Sequence, residues 1–374
     1  MNNPDLTRRH WVIVFNWLTM GGAERQALLL AEELVRRGDR VSVVGFLSPG
    51  AVMDRCSELG IPCYHWPFSF AGSMVDKIQN LLAIAKQLKS LNPDYLVPFG
   101  MIPNLVCGIF WKYTGARASV WQQRDEGRAR QNRMLEWLAI RLTPAFISNS
   151  AHAVDWLVGE LGVPRKRIRV VRNGVETGSE GEKERRSEGE KRDTLLVTMI
   201  ANLHSYKDHD TLIRAWKLVI ERFEHPETLK LVLAGNKQNT WPAIESYIRQ
   251  NRLEPFVDAI GSIADVYDLI SDSTLIVHSS ANEGVPNGIL EGMVLGKPIV
   301  GSDIPGIRET GIGEHPQQLF KVGDAESCAE KILYFLNNES ERFVAGAMNR
   351  SIIERDFGIQ RMVDETVAVF ESVE

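Results

Sequence analysis

The sequence of 374 residues is poor in cysteine, with only Cys56, Cys63, Cys107 and Cys328 and no CxxC spacing among them. That excludes a disulfide framework and a cysteine zinc site, and it points to free thiols in a reducing, cytoplasmic compartment. Its eight histidines contain no HxxxH or HExxH spacing, so neither a metal nor any other cofactor is expected. A cationic excess is also absent: 43 lysines and arginines stand against 48 acidic residues, and the net charge of -5 offers nucleic acid no general attraction. Long hydrophobic runs are missing too. The apolar stretch from Trp11 to Leu18 follows a polar start and falls well short of the roughly 20 residues that span a bilayer. Neither a signal peptide nor a membrane anchor is expected, which leaves surface contact with the inner face of the cytoplasmic membrane open. GxGxxG is lacking as well, so a classical dinucleotide site is not supported.

What is present suits two globular halves, since a chain of this length with 44% hydrophobic residues can bury two cores. Trp11 to Phe15 reads as a buried parallel strand that feeds a helix. In that helix Ala27, Leu28, Leu30, Ala31, Leu34 and Val35 form the apolar face. Glu32 with Arg36 and Glu33 with Arg37 make i,i+4 pairs on the other face, and Gly38 fits a left-handed cap. Strand and helix patterns keep alternating through Val41 to Phe46, Ile78 to Leu91, Tyr95 to Pro98 and Phe146 to Ser148, the mark of a doubly wound α/β domain over residues 1–175.

The stretch Glu176 to Asp193 breaks that rhythm. Twelve of its eighteen residues are charged, none is apolar, and SEGEK occurs twice, so it reads as a flexible linker, with an exposed helix of mixed charge as the alternative. Alternation resumes with strands at Leu195 to Ile200 and Leu229 to Ala234 around a helix at Thr211 to Phe223. A second α/β domain over 194–355 follows, and a helix within 356–374 is expected to pack back toward the first domain.

Two loops carry candidate chemistry. Gly21 and Gly22 stand between the first strand and helix, where missing side chains let backbone N–H groups approach a phosphate; an ordinary tight turn explains them equally well. The run Glu283-Gly284-Val285-Pro286-Asn287-Gly288-Ile289-Leu290-Glu291 follows a strand and opens a helix, with Pro286 fitting the first helical position. Carboxylates there accept charge-assisted hydrogen bonds from sugar or ribose hydroxyls, although an isolated ExxxxxxxE is commonly just a solvated helix start. Asp208-His209-Asp210 spells a DxD triad, but its place ahead of a helix favours an N-cap over a metal site.

Taken together, these segments resemble the GT-4 family of retaining glycosyltransferases from Trp11 to about Phe370. The match is carried by Gly21-Gly22-Ala23-Glu24-Arg25, by Ser148-Asn149-Ser150 with Asn173-Gly174-Val175, by Ala201-Asn202-Leu203 leading to Lys207, and by Glu283 to Glu291 extended through Gly296-Lys297-Pro298. The resemblance implies a GT-B fold, two Rossmann-like α/β domains facing each other across a cleft. It implies that Lys207 holds the donor diphosphate, Glu283 meets hydroxyls of the transferred sugar and Glu291 the nucleotide ribose, with Gly22 offering an amide to phosphate. Gly21, Gly284, Val285, Pro286 and Asn287 complete the donor pocket; Pro286 lacks an N–H, so the Asn287 side chain is the candidate donor there. Asn202 departs from the family, standing where many relatives carry an arginine on the phosphates. Arg124, in the loop Gln123-Arg124-Asp125-Glu126-Gly127, is the candidate replacement, against an ordinary surface arginine.

The implied activity is transfer of a hexose-type sugar from a nucleotide-diphosphate sugar, UDP-linked first and GDP-mannose next, to a saccharide or lipid-linked acceptor in cell-surface polysaccharide or glycolipid synthesis. The arginines at 128, 130, 133 and 141, interleaved with Met134, Leu135, Trp137, Leu138 and Ile140, suit either a helix resting on anionic lipid or one packing on its own core. Two rivals remain open: a sugar-nucleotide epimerase of the same architecture, and a catalytically silent sugar-nucleotide-binding protein.

Overall fold

The computed structural model describes residues 8–68, 73–124, 133–176, 194–263 and 265–374. Asp125, Arg128 and Arg130, and all of the charged connector except Glu176, lie outside them. The chain forms two compact units, one of Met1–Gly174 with Ile359–Glu374 and one of Val175–Gly358.

The first unit is built on strands β1 (His10–Phe15), β2 (Arg40–Gly45), β3 (Cys63–His65), β4 (Tyr95–Phe99), β5 (Ala118–Gln123), β6 (Ala145–Ser148) and β7 (Ile168–Val170). They form a parallel sheet in the order β3-β2-β1-β4-β5-β6-β7. Helices cover both faces, which is why every residue of β1 is buried. Trp11, Ile13 and Phe15 enter one core with Leu28 and Leu34 of the helix Gly22–Arg36, while Val12 and Val14 enter the other with Leu81 and Ile84.

The last helix, Ile359–Glu371, returns to this unit. Met362, Val363, Val369 and Phe370 join the first core, and the Phe370 ring sits 5.1 Å from that of Trp11. Its arrival changes the reading of the helix Gly22–Arg36. Glu33, expected on a solvent face, is instead buried and hydrogen-bonded by both Arg36 and Arg37, and Arg37 reaches on to Asp364 of the last helix. Glu32 pairs with Arg55 at 3.2 Å rather than with Arg36, and Val35, expected in the core, is 39% exposed. Gly38 does take the left-handed conformation, with φ 94°.

The second unit carries β8 (Leu195–Ile200), β9 (Leu229–Ala234), β10 (Val257–Gly261), β11 (Leu275–His278), β12 (Ile299–Ser302) and β13 (Leu319–Phe320), parallel and in the order β10-β9-β8-β11-β12-β13. Val197 and Met199 pack with Leu212, Trp216 and Val219 of the helix His209–Arg222. The opposite face holds Ile276 and Ile299 with Ile289 and Met293 of the helix Asn287–Val294. In both units the strand order reverses beside the first strand, between β1 and β4 and between β8 and β11. Such a reversal opens a crevice at the carboxyl ends of the two strands, the usual ligand position in open α/β sheets.

Candidate active site

In the second unit the reversal places the loop after β8 beside the loop after β11, although some 70 residues separate them in sequence. Several bonds lock the two together. Ala281 N–H donates to Tyr206 O at 2.8 Å, and the Ser279 hydroxyl reaches Asp208 O at 3.0 Å and Lys207 O at 3.3 Å. Asp208 adopts φ 49° and caps the helix His209–Arg222, its carboxylate accepting from Thr211 N–H at 3.3 Å. The cap reading of the DxD triad is therefore what the backbone uses, and Asp210 pairs with Arg214 one turn on.

This framework brings Lys207 onto Glu283. The Lys207 ammonium contacts Glu283 Oε1, and the same oxygen accepts from Ser280 Oγ at 2.8 Å and lies 3.1 Å from His278 Nε2. Burial pushes the Glu283 carboxyl up, but the charge of Lys207 and the bond from His278 outweigh it and hold the group well below the usual carboxylate range. His278 is itself pulled down by burial, against the opposing pull of Glu283. His209, pushed down to about 3 by burial with further repulsion from Lys207, is neutral at physiological pH. The result is a buried, ionised carboxylate held by a lysine, a serine hydroxyl and the His278 imidazole.

Glu283 to Pro286 form a loop rather than a helix start. Pro286 has ψ 124°, and its carbonyl accepts from Ile289 and Leu290, so it is the N-cap of the helix Asn287–Val294 rather than its first residue. Asn287 takes the first helical position. Glu291 is buried in the second turn of that helix. Gly306 supports the loop from beneath, because a Cβ there would fall 2.0 Å from Gly284 O and 2.1 Å from Glu283 O. Asn202 belongs to the β8 loop, and its side-chain oxygen accepts from Asn236 N–H at 2.9 Å, tying it to the loop after β9.

The other candidates stand in the first unit. Gly21 caps the helix Gly22–Arg36, and the carboxylate of Glu24 in its first turn is raised by burial. Arg124 follows β5, donates to Asn173 Oδ1 at 3.1 Å and Gln122 Oε1 at 3.0 Å, and lies 5.1 Å over the Phe99 ring. Burial among these neutral partners lowers its pKa to about 10, which leaves it charged at neutral pH. It is partly buried, with a neutral hydrogen-bond acceptor on each of two sides. His278, Ser280, His209 and Gly306 do not stand out in the sequence; only the position of Ser280 three residues ahead of Glu283 offers a signal.

A family profile described as "Glycosyl transferases group 1" matches residues 194–338, and one described as "Glycosyltransferase Family 4" matches residues 20–179. The second half of the chain thus matches the group 1 glycosyl transferases and the first half glycosyltransferase family 4. The chain is 27% identical to the EpsF protein of Bacillus subtilis over 307 residues, 78% of each chain. It is 23% identical to the Escherichia coli UDP-Gal:alpha-D-GlcNAc-diphosphoundecaprenol alpha-1,3-galactosyltransferase, over 62% of its own length and 61% of the relative's. The chain spans about half the length of the first curated relatives it matches. Among solved structures, Anabaena HepE in complex with UDP superposes with a TM-score of 0.79 at 18% identity, over 97% of this chain and 100% of that one. The two parallel-sheet domains are those of the GT-B fold.

Proposed function

We propose that this protein is a glycosyltransferase that moves a hexose-type sugar from a uridine-diphosphate sugar to a saccharide or lipid-linked acceptor, with retention at the anomeric carbon in the manner of GT-4 enzymes, during cell-surface polysaccharide or glycolipid synthesis. The observation that carries the reading is the Lys207–Glu283 pair at the β8–β11 reversal, flanked by the N-terminus of the helix Asn287–Val294. HepE with bound UDP and UDP-glucose, and the relative named for a UDP-galactose donor, support uridine as the base.

In this scheme the bond from the anomeric carbon to the β-phosphate oxygen breaks while the acceptor oxygen bonds to that carbon on the same face. The acceptor proton passes to the departing diphosphate. Lys207 turns its charge from Glu283 to the leaving phosphate, Glu283 receives hydroxyls of the sugar, and Glu291 receives the ribose. Gly21 and Gly22 offer backbone amides to phosphate, and Asn202, Gly284, Val285, Pro286 and Asn287 line the donor pocket. Arg124 adds the charge that Asn202 does not supply. Positioning and preorganised charge do most of the work in such a reaction, with no protein nucleophile and no metal or cofactor. Turnover unchanged by EDTA checks the last point.

The helix Arg133–Leu142 supports peripheral contact with an anionic membrane on the cytoplasmic side. It buries Ala139 and Ile140 yet leaves Met134 65% and Trp137 60% exposed, with Arg141 5.6 Å over the Trp137 ring. Flotation with anionic liposomes tests it; protein that stays at the bottom of the gradient refutes it.

The deciding experiment is a thermal-shift screen against UDP, GDP and their sugars, because a ligand that binds only the folded state raises the melting temperature. A uridine-specific shift that Glu291→Ala abolishes is the expected outcome. No shift with any nucleotide at millimolar concentration would overturn the reading.

A further inference from the structure

His278 closes β11, and strand alternation sets it on the same face as Ile276, toward the helix Asn287–Val294. It is 1% exposed, too deeply covered to touch a ligand. Its Nε2 nevertheless lies 3.1 Å from the Glu283 oxygen that Lys207 and Ser280 also engage. An ionised carboxylate only accepts, so the ring must carry its proton on Nε2; Nδ1 is buried with no hydrogen-bond partner among the described residues. Neutral imidazole and serine hydroxyl thus hold Glu283 from one side while the lysine cation holds it from another.

That division matters once a diphosphate draws Lys207 away. Glu283 then loses its charged partner, and a buried carboxylate left alone would take up a proton or turn elsewhere. Hydrogen bonds from His278 and Ser280 do not depend on Lys207 and persist. We propose that His278 is a positioning residue for sugar transfer: its Nε2–H keeps the Glu283 carboxylate in the orientation that receives the hydroxyls of the donated sugar. The inference rests on the transferase reading above.

Two measurements on the full-length protein test it. With histidines labelled in nitrogen-15, the signals lost in His278→Gln identify the ring. A neutral Nε2–H tautomer whose Nε2 signal moves in Glu283→Gln is expected; a proton on Nδ1, or a signal indifferent to Glu283→Gln, overturns the proposal. The second measurement compares affinity for UDP with affinity for the UDP-sugar that the wild type binds most tightly among UDP-glucose, UDP-galactose and UDP-N-acetylglucosamine. In His278→Ala the UDP affinity stays within about twofold while the preference for the sugar form falls about tenfold, the loss of one charge-assisted hydrogen bond. His278→Gln, which can present a donor at similar reach, recovers most of it. A sugar preference unchanged in His278→Ala overturns the proposal, whereas a wild type that binds no uridine nucleotide overturns the transferase reading and leaves the tautomer measurement to decide the His278–Glu283 link.

Discussion

Gln26 and Gly174 hold each other by two hydrogen bonds across 148 residues: the Gly174 N–H donates to Gln26 Oε1 at 2.8 Å, and Gln26 Nε2 donates to Gly174 O at 2.9 Å. A side-chain amide thus completes both backbone groups of a glycine where the next residue already belongs to the other unit. Gly174 also packs closely on the last helix. A Cβ at this position would lie 3.0 Å from the Cα of Ile359, which leaves little room for a larger residue.

Gln26→Leu should therefore destabilise the protein by about 2 kcal/mol or more, since a buried peptide group loses both partners at once. Chemical denaturation with intact far-ultraviolet dichroism at zero denaturant measures it. A loss below about 0.5 kcal/mol would mean that water takes over both bonds.

Lys207→Met removes the cation from a carboxylate that is nearly fully enclosed. Stability should fall by about 3 kcal/mol because an uncompensated charge is left inside, and turnover should fall about a hundredfold. In the double variant Lys207→Met with Glu283→Gln the stability loss should be smaller than the sum of the two single losses, while activity stays low. Strict additivity in denaturation midpoints would show that the pair is not coupled.

Acid should weaken the fold through His209 before it reaches the carboxylates. The folded-state pKa of about 3 lies below the unfolded histidine value, so the unfolded chain binds the extra proton between about pH 6.5 and 3. The stability that His209 contributes is complete above about pH 6.5 and is lost as pH falls through that window, by at most about 1.4 kcal/mol per pH unit. Glu283 acts with the same sign lower down: its depressed pKa adds stability above the usual carboxylate range that is lost on further acidification. Unfolding midpoints of His209→Asn against wild type from pH 7.5 to 4.5 should show a shallower slope in the variant; parallel curves would contradict it.

Gly306→Ala should disable the donor loop from below. Its Cβ would press on the carbonyls of Glu283 and Gly284, so the loop must shift or the helix Pro305–Arg308 must, at about 1–3 kcal/mol. Donor affinity should drop with it. Wild-type affinity in a folded Gly306→Ala protein would mean that the loop does not need this support.

Legibility from sequence follows the range of the forces involved. Leu195–Ile200 and Leu229–Ala234 appear at the residues expected, because a short apolar run bounded by turns can hardly do otherwise inside a two-sided sheet. Pro286 stands one position ahead of its expected place, since a proline fits the N-cap and the first turn equally well in φ and only ψ separates them. Glu33 makes its expected pair with Arg37 but is buried rather than solvated, because the surface that Arg37 reaches on to arrives with the last helix, more than 300 residues later.

By itself the sequence determined the alternation of strands and helices, the two glycine-bearing loops at strand ends, the lysine, and the two glutamates eight positions apart. All of these are local patterns of apolarity and turn chemistry. The strand order was decided only in three dimensions, and with it the meeting of Lys207 and Glu283, the support of His278 and Ser280, and the return of Ile359–Glu371 to the first sheet. The physical reason is that a hydrogen bond or ion pair needs its partners within about 3 Å, and that distance is set by which strands lie side by side, a property of the whole packed chain.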